Sequence, residues 1–478
     1  MNRRDFLRAC AAVGVSGLSL SPHRLLAQTG SELEKSKYLF VNLIAHGGWD
    51  TTCLCDPKTG DYIASNGENK GSITRLYETI GRAGNLSYPI RETKLYENFD
   101  MRFLTSEEKV QAAIDARGEQ SKEKNIRWQD FFDKHHSELR VINGIHNATL
   151  NHLSGQKNAG SGLKRLQHPS LGALYAAHNV AQSGMPYISY GGYAETRQLL
   201  GLIRPFYSAQ LLRAAQSNQN PVAPWLTYTN FHSTAANDAI QFAADARMRR
   251  LLEKGNMLPR KKQNLERFQQ ARIGSAYLER LQEMHPGQNF EFKTLFKIEE
   301  QARLVVAAYK AGLCSSANIV VNAFDTHSYH DLRQPYWLAE LLHGFDFLIE
   351  EANRQGIADN LVVLVSSDFG RPPFYNRRAE AEIVQGKDHW DIGSAMLWGK
   401  DIIGNRVVGQ TNARLEAVNA NGDPLDLMSS NPNEKPITME ALHYALRRHL
   451  GISQDLCERF SLNGPDITGH DPDELLYG

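Results

Sequence analysis

Residues 317–365 confine the chain to a narrow set of folds. Residues 317–321, ANIVV, and 361–365, LVVLV, are short runs rich in Val and Ile, the signature of strands buried on both faces. Between them Leu338, Leu341, Leu342, Phe345, Leu348 and Ile349 recur at helical spacing, which predicts a helix over 334–355 with Gly356 at its left-handed C-terminal position. A helix joining two buried strands is a crossover, so the strands run in the same direction and the sheet is parallel. Residues 38–45, YLFVNLIA, supply another buried strand, with shorter ones at 139–142, 186–190 and 394–398, and helices at 169–178 and 439–450. The fold class is α/β, a mostly parallel sheet flanked by helices.

The remaining segments are read from charge and punctuation. Residues 56–137 are polar with weak periodicity, which predicts a long surface excursion ending in one or two helices. Residues 198–311 are mostly helical with mixed charges: a helical insertion, or cap over the crevice, that divides the α/β domain into 36–197 and 312–478. Lys plus Arg and Asp plus Glu are both 53, so no net charge draws the chain to nucleic acid or an anionic membrane. Arg3-Arg4, the apolar run 9–20 and the small Ala27 resemble a twin-arginine export signal over 1–27. That makes the twin-arginine export machinery a partner and the mature chain periplasmic or extracellular. No later segment approaches the apolar length of a membrane span. Cys53, Cys55, Cys314 and Cys457 are expected as structural disulfides or buried thiols, being too sparse for a zinc–thiolate framework.

Acids and imidazoles recur where strands end. The first strand runs into His46-Gly47-Gly48-Trp49-Asp50; the strand at 139–142 leads to His146, Thr149, His152 and Ser154; the strand at 317–321 leads to Asp325, His327 and His330; the strand at 361–365 leads to Asp368 and Arg371; and Asp388-His389 precedes the strand at 394–398. In open parallel sheets the carboxyl ends of the strands open onto the ligand crevice. Carboxylates and imidazoles suit zinc, manganese and similar ions, and a two-metal site clamps the attacking and leaving oxygens of a phosphoryl-type transfer. Each residue has a plainer reading. Asp325-Thr326-His327 also fits a turn or helix cap, Asp368 a cap paired with Arg371, His389 a satisfied core histidine, and His46 and Asp50 turn residues.

The order of motifs (twin arginine, Gly-Gly-x-Asp, Asn151-His152-Leu153, Pro169-Ser170-Leu171-Gly172, Asp325-Thr326-His327, Ser367-Asp368-Phe369-Gly370-Arg371-Pro372, Gly386-Lys387-Asp388-His389) resembles a large exported bacterial family of unknown function. This is domain-of-unknown-function family 1501, of the alkaline-phosphatase-like superfamily. The resemblance implies a binuclear metal site at the carboxyl edge of the sheet. Asp325 and His330 would share one metal, Asp368 would be the acid of an Asp-His pair, His389 the late histidine, and His46 or Asp50 the first-strand acid. Phe369 stands where that pair has its His, a ligand for which His327 or Asp388 would substitute. Asn151-His152-Leu153 stands where relatives have Ser-His-Phe, which leaves Thr149 and Ser154 as the nearest hydroxyls. Cys55-Asp56-Pro57-Lys58-Thr59 approaches a sulfatase nucleophile motif without its arginine.

The expectation is an exported, metal-dependent hydrolase of phosphate or sulfate esters acting on a small anionic ester. Its metal ligands are drawn from His46, Asp50, Asp325, His327, His330, Asp368, Asp388 and His389. Thr149, His152, Ser154 and Arg371 are the catalytic candidates, with Arg371 holding an anionic oxygen. Zinc is the first choice of divalent ion, with manganese, calcium and magnesium as alternatives. The competing expectation is a non-catalytic metal- or ligand-binding or assembly protein that retains the fold and meets a protein partner.

Overall fold

The computed structural model describes residues 36–58, 79–96, 106–115, 123–165, 167–179, 185–205, 233–253, 297–376, 385–426, 434–462 and 472–478, with positions 104, 219–220, 229–230, 257–258, 281, 429 and 431 between them. The export signature at 1–27 and most of the insertion at 198–311 lie outside those residues. Within it Thr234–Glu253 is a helix, but the two ends of the expected insertion belong to the α/β body: Leu202–Ile203 is an edge strand of the central sheet, and helix Lys297–Lys310 is buried in the main core through Ala302, Val305 and Val306.

The central sheet, among the described residues, has eight strands: β1 Leu39–Ala45, β2 Leu139–His146, β3 Tyr187–Ser189, β4 Leu202–Ile203, β5 Ser316–Val321, β6 Leu361–Ser367, β7 Ile392–Gly399 and β8 Arg406–Val408. Their spatial order is β8-β2-β7-β6-β1-β5-β3-β4. Every neighbouring pair is parallel except the two made by β7, which runs against β6 and β2. The sheet is therefore mostly parallel. The reversed β7 has a consequence for the site: its amino end, rather than its carboxyl end, meets the carboxyl ends of β1, β2, β5 and β6. Asp388 and His389, just ahead of β7, are thereby delivered to the same rim.

Both faces of the sheet are covered. Leu39, Val41, Leu43, Val363 and Val365 pack into one apolar cluster with Leu338, Leu341, Leu342 and Phe345 of the long helix His330–Gln355. Phe40, Val362 and Leu364 pack into a second with Leu171 and Leu174 of helix Leu171–Asn179 and Leu442 and Leu446 of helix Met439–His449. Alternate residues of β1 thus enter opposite cores, as a strand buried on both sides requires. The crossover between β5 and β6 passes over β1, which lies between them. Its helix ends at Gly356 (φ 71°), but it begins at His330 rather than 334, with Pro335 accommodated inside. His330 therefore enters the structure as a helical residue instead of a loop residue.

The expected surface excursion at 56–137 needs correction. The two expected helices are present, Glu107–Asp115 and Trp128–His135, but its described part also forms two small antiparallel pairs, Ile80–Ala83 with Leu86–Pro89 and Glu92–Tyr96 with Glu123–Arg127. Leu86, Tyr88, Leu95, Ile126, Trp128, Phe131 and Phe132 are buried in the larger core cluster. Charged residues alternate with these apolar ones and mask the period in a short strand. The Trp128 indole N–H donates to the Cys53 carbonyl at 3.0 Å, which ties the segment to the loop after β1. Trp128→Ala is expected to cost about 3–5 kcal/mol in denaturant unfolding. A loss under about 0.5 kcal/mol, the level of an exposed position, would return the segment to the surface.

Candidate metal centre

Arg371 holds the rim together. Its side chain is fully buried, and every donor is used: Nε–H donates to Gly48 O at 2.9 Å, Nη1 to Lys387 O at 2.7 Å and Asp388 O at 3.2 Å, and Nη2 to Phe324 O at 3.1 Å, to Gly47 O, and to Asp325 Oδ1 at 2.7 Å. The loops after β1 and β5 and the loop before β7 thus meet on one guanidinium carried by the loop after β6. The expectation that Arg371 would hold an anionic oxygen of a substrate is corrected on this count, since it has no N–H left to offer. Gly47, at φ 122°, lets the first loop lie against the Asp325 segment, where a Cβ would fall 2.5 Å from Asp325 N.

Around Asp325 three imidazoles converge. His327 Nε2 lies 3.0 Å from Asp325 Oδ1, His389 Nε2 3.5 Å from the same oxygen, and His152 Nε2 3.5 Å from Oδ2. His327 Nε2 and His389 Nε2 are 2.9 Å apart. Each ring is fixed from behind through its other nitrogen. His152 Nδ1–H donates to Asp368 Oδ2 at 2.9 Å, His327 Nδ1–H to Asp388 Oδ1 at 3.0 Å, and His389 Nδ1–H to Leu150 O at 2.6 Å. With Nδ1 donating, each ring in its neutral form would turn its Nε2 lone pair inward beside the carboxylate, the arrangement a bound ion requires. Phe369, in the place expected for an Asp-His partner, packs on the rings of His152 and His389 with centroids 4.8 and 4.3 Å apart.

These donors fit a divalent ion. The ligand atoms of His152, Asp325 and His389 all lie within 4.8 Å of one another, and tetrahedral bonds of about 2.0–2.1 Å put ligand atoms about 3.3 Å apart. His152 Nε2 and Asp368 Oδ1 are buried without a hydrogen-bond partner, a costly condition for polar atoms. Backing of a metal-binding histidine by a carboxylate or carbonyl is the usual way its orientation is set. In the ion-free protein, contact with Asp325 and then Asp368 raises the His152 pKa to about 9. Burial alone would raise the Asp325 carboxyl, but His152, His389 and Arg371 more than offset it and hold it far below its ordinary range. Two non-glycine residues in the left-handed region, Ala323 (φ 79°) and Tyr329 (φ 54°), bracket this segment. Strain of that kind is held in place only where the surroundings over-determine the backbone.

Asp50 and His330 are not brought to this cluster. They lie beneath it, both fully buried, with His330 Nε2 2.9 Å from Asp50 Oδ2 and Lys387 Nζ 2.6 Å from the same oxygen. Asp50 Oδ1 accepts from the Thr52 backbone N–H at 3.1 Å and its hydroxyl at 2.6 Å, and His330 Nδ1 meets Thr326 Oγ1 at 2.8 Å. Both nitrogens of His330 and both oxygens of Asp50 are therefore occupied by protein groups, which corrects the expectation that Asp325 and His330 share an ion. Burial lowers the His330 pKa and keeps the ring neutral. It would raise that of Asp50, yet Lys387 and His330 bring it well below its ordinary value. Sequence reasoning missed Lys387: 337 positions separate it from Asp50, and no local pattern pairs them.

The other candidates sit at the margin. His46 Nε2 is 2.6 Å from the Gln156 side-chain amide, and His146 Nε2 is 3.4 Å from Asp391 Oδ2. Thr149 Oγ1 accepts from Asn151 N, while Asn151 caps the helix His152–Ser161 by accepting from Ser154 N. That helix carries Gly155 against Asp368, where a Cβ would lie 2.6 Å from Asp368 O; the close approach lets His152 reach the Asp368 carboxylate. Cys53, Cys55, Cys314 and Cys457 form no disulfide, and the first three are buried thiols.

Residues 314–460 match the family model described as "Protein of unknown function (DUF1501)". No curated protein matches the sequence. Among solved structures, Ps i-CgsB is similar at a TM-score of 0.37 and 9% identity, over 91% of this chain and 77% of that one. The provisionally assigned sulfatase yidJ from Bacteroides fragilis follows at 0.32 and 12%, over 94% and 80%. The TAB5 alkaline phosphatase mutant His 135 Glu is similar at 0.29 and 8%, over 79% and 95%.

Removing one partner of the buried pair strands the other. Asp50→Asn and Lys387→Met are each expected to cost about 3–5 kcal/mol of unfolding free energy, and the double variant much less than their sum. Because the Asp50 pKa is depressed on folding, the pair's contribution is complete above the unfolded Asp value of about 3.9 and fades as pH falls below it. Urea unfolding of the four proteins from pH 7 to pH 3 checks both points; additive losses would show the two groups to be independent.

Proposed function

We propose that the chain is a metal-dependent hydrolase of phosphate or sulfate esters, of alkaline-phosphatase-like fold, working through one divalent ion held at the rim. The observation that carries this reading is the convergence of three back-bonded imidazoles on one carboxylate. His152, Asp325 and His389 would hold the ion, with His327 beside them, and zinc best suits such nitrogen-rich donors. A divalent ion there supplies Lewis acidity toward a phosphoryl or sulfuryl oxygen and makes water a better nucleophile near neutral pH.

The chain's own residues set the conditions for that chemistry. Arg371 keeps Asp325 ionised and in place. Asp368, Asp388 and the Leu150 carbonyl fix the tautomer and aim of the three rings. One carboxylate and three neutral imidazoles leave a bound divalent ion with a net positive charge, which favours an anionic ester over a neutral one. Leu150 and Leu153 are 54% and 67% exposed on either side of His152 and offer an apolar edge for the rest of such a substrate. The Arg3-Arg4 signature supports export through the twin-arginine machinery and a periplasmic or extracellular site of action. No helix among the described residues is long and apolar enough to cross a membrane.

The second reading is a non-catalytic ion-binding protein. It is favoured by the Thr149 hydroxyl, which is turned to the Asn151 backbone, and by the set of described groups that meet Asp325, which are imidazoles and a guanidinium and include no hydroxyl or thiol. Zinc-loaded protein assayed on phosphate monoesters, phosphate diesters and sulfate esters separates the two. Turnover is expected in the wild type, and Asp325→Ala is expected to lose both the bound ion and the turnover. Hydrolysis that survives Asp325→Ala would sink the proposed mechanism, and an ion bound without turnover of any ester would favour the second reading. Asp388→Asn, which loosens only the backing of His327, is expected to weaken ion affinity about 10–100-fold in a competition titration with a chelating dye. Unchanged affinity would remove His327 from the centre.

A further inference from the structure

We propose that Lys387 is the resident cation of an inner pocket, its ammonium standing where a second divalent ion would otherwise sit, so that the chain binds one metal ion and not two. The proposal rests on the rim centre described above only for the first of the two ions counted.

The pocket has the donors of a metal site. The ligand atoms of Asp50, Cys53 and His330 lie within 4.8 Å of one another, and all three residues are buried. A carboxylate, a thiolate and an imidazole are each zinc ligand types. Yet the protein fills the position itself: Lys387 Nζ is 2.6 Å from Asp50 Oδ2, and neither side chain has any exposure. The ammonium also lies 5.3 Å from the centre of the Tyr375 ring, whose face favours a cation. The Asp50 carboxylate is thus met directly by one ammonium. An incoming divalent ion would have to displace the ammonium from Asp50, its carboxylate partner among the described residues, and leave it buried without that counter-charge.

Chain geometry explains why this lysine can serve. Lys387 N donates to Thr326 O at 3.2 Å and Arg371 holds the Lys387 carbonyl at 2.7 Å. The same short loop thus sends Lys387 inward while Asp388 and His389 face the rim, so the outer centre and the inner ion pair are built from consecutive residues. Loss of the lysine side chain would leave the Asp50 carboxylate without its ammonium, beside Cys53 and His330 at a spacing that a divalent ion could bridge.

Titration of the full-length protein with cobalt(II), followed by metal analysis and near-ultraviolet absorption, tests this. The wild type is expected to bind one equivalent with no thiolate-to-cobalt charge-transfer band. Lys387→Ala is expected to bind two, with the band, and to lose the band in Lys387→Ala/Cys53→Ser. Lys387→Ala/Asp325→Ala is expected to keep one equivalent with the band, which isolates the inner pocket from the rim. A wild type that binds no ion beside a Lys387→Ala protein that binds one with the band would uphold the inner pocket and remove the rim centre instead. Two equivalents or a thiolate band in the wild type would overturn the proposal, as would a Lys387→Ala protein with wild-type circular dichroism and no thiolate-bound cobalt. Should Lys387→Ala fail to fold, Cys53→Ser alone decides. Unchanged stoichiometry supports the resident lysine, and a lost equivalent refutes it.

Discussion

One buried guanidinium carries much of the architecture of the rim. Arg371 has no exposure, yet it reaches backbone carbonyls of Gly47, Gly48, Phe324, Lys387 and Asp388 and the carboxylate of Asp325. Those groups belong to loops that the sheet topology brings to one edge but does not by itself align. A buried arginine is costly unless its donors are all met, and here meeting them is what sets the distances between loops. Asp325 is the acceptor that meets the guanidinium through its side chain, and the same carboxylate faces solvent and the histidines. The rim inherits its geometry from a residue whose donors all go to protein groups.

Two clusters of acids and imidazoles lie on this frame, one at the rim and one buried. On the outside, three imidazoles bonded from behind through Nδ1 turn their Nε2 atoms toward Asp325. On the inside, Asp50 is satisfied by Lys387 and by His330. The difference between them is hydration. The outer carboxylate is 45% exposed, so an ion arriving there can keep solvent in its remaining positions. The inner carboxylate is sealed from solvent, and a charge already in the chain is its cheapest partner. On the proposal made above, one ion and one lysine stand in place of a pair of ions.

Much of this frame was legible in the residues. The runs 317–321 and 361–365 and the helix between them predicted a parallel sheet because apolar content and period are local properties, and the reversed β7 accounts for Asp388 and His389 at the same edge. The convergence of Asp325, His327, Asp368, Asp388, His389 and His152 was foreseeable as a set, since each follows or precedes a strand end. Which of them face one another was not. Asp50 and His330 looked like the others in sequence, but His330 begins a helix and points into the core. Arg371 looked like an anion holder because sequence does not reveal burial. The segment around Leu95 and Trp128 read as surface because charged neighbours diluted its period, while its apolar residues find their partners in distant elements.

The most direct measurement of the central claim is X-ray absorption at the zinc edge of the purified, zinc-loaded chain. The account predicts one zinc site with a nitrogen and oxygen shell at about 2.0–2.1 Å, imidazole scattering from two or three histidines, and no sulfur. A sulfur shell at about 2.3 Å would place the ion in the inner pocket beside Cys53, and protein that retains no zinc would mean that the converging imidazoles serve another end; either result contradicts it.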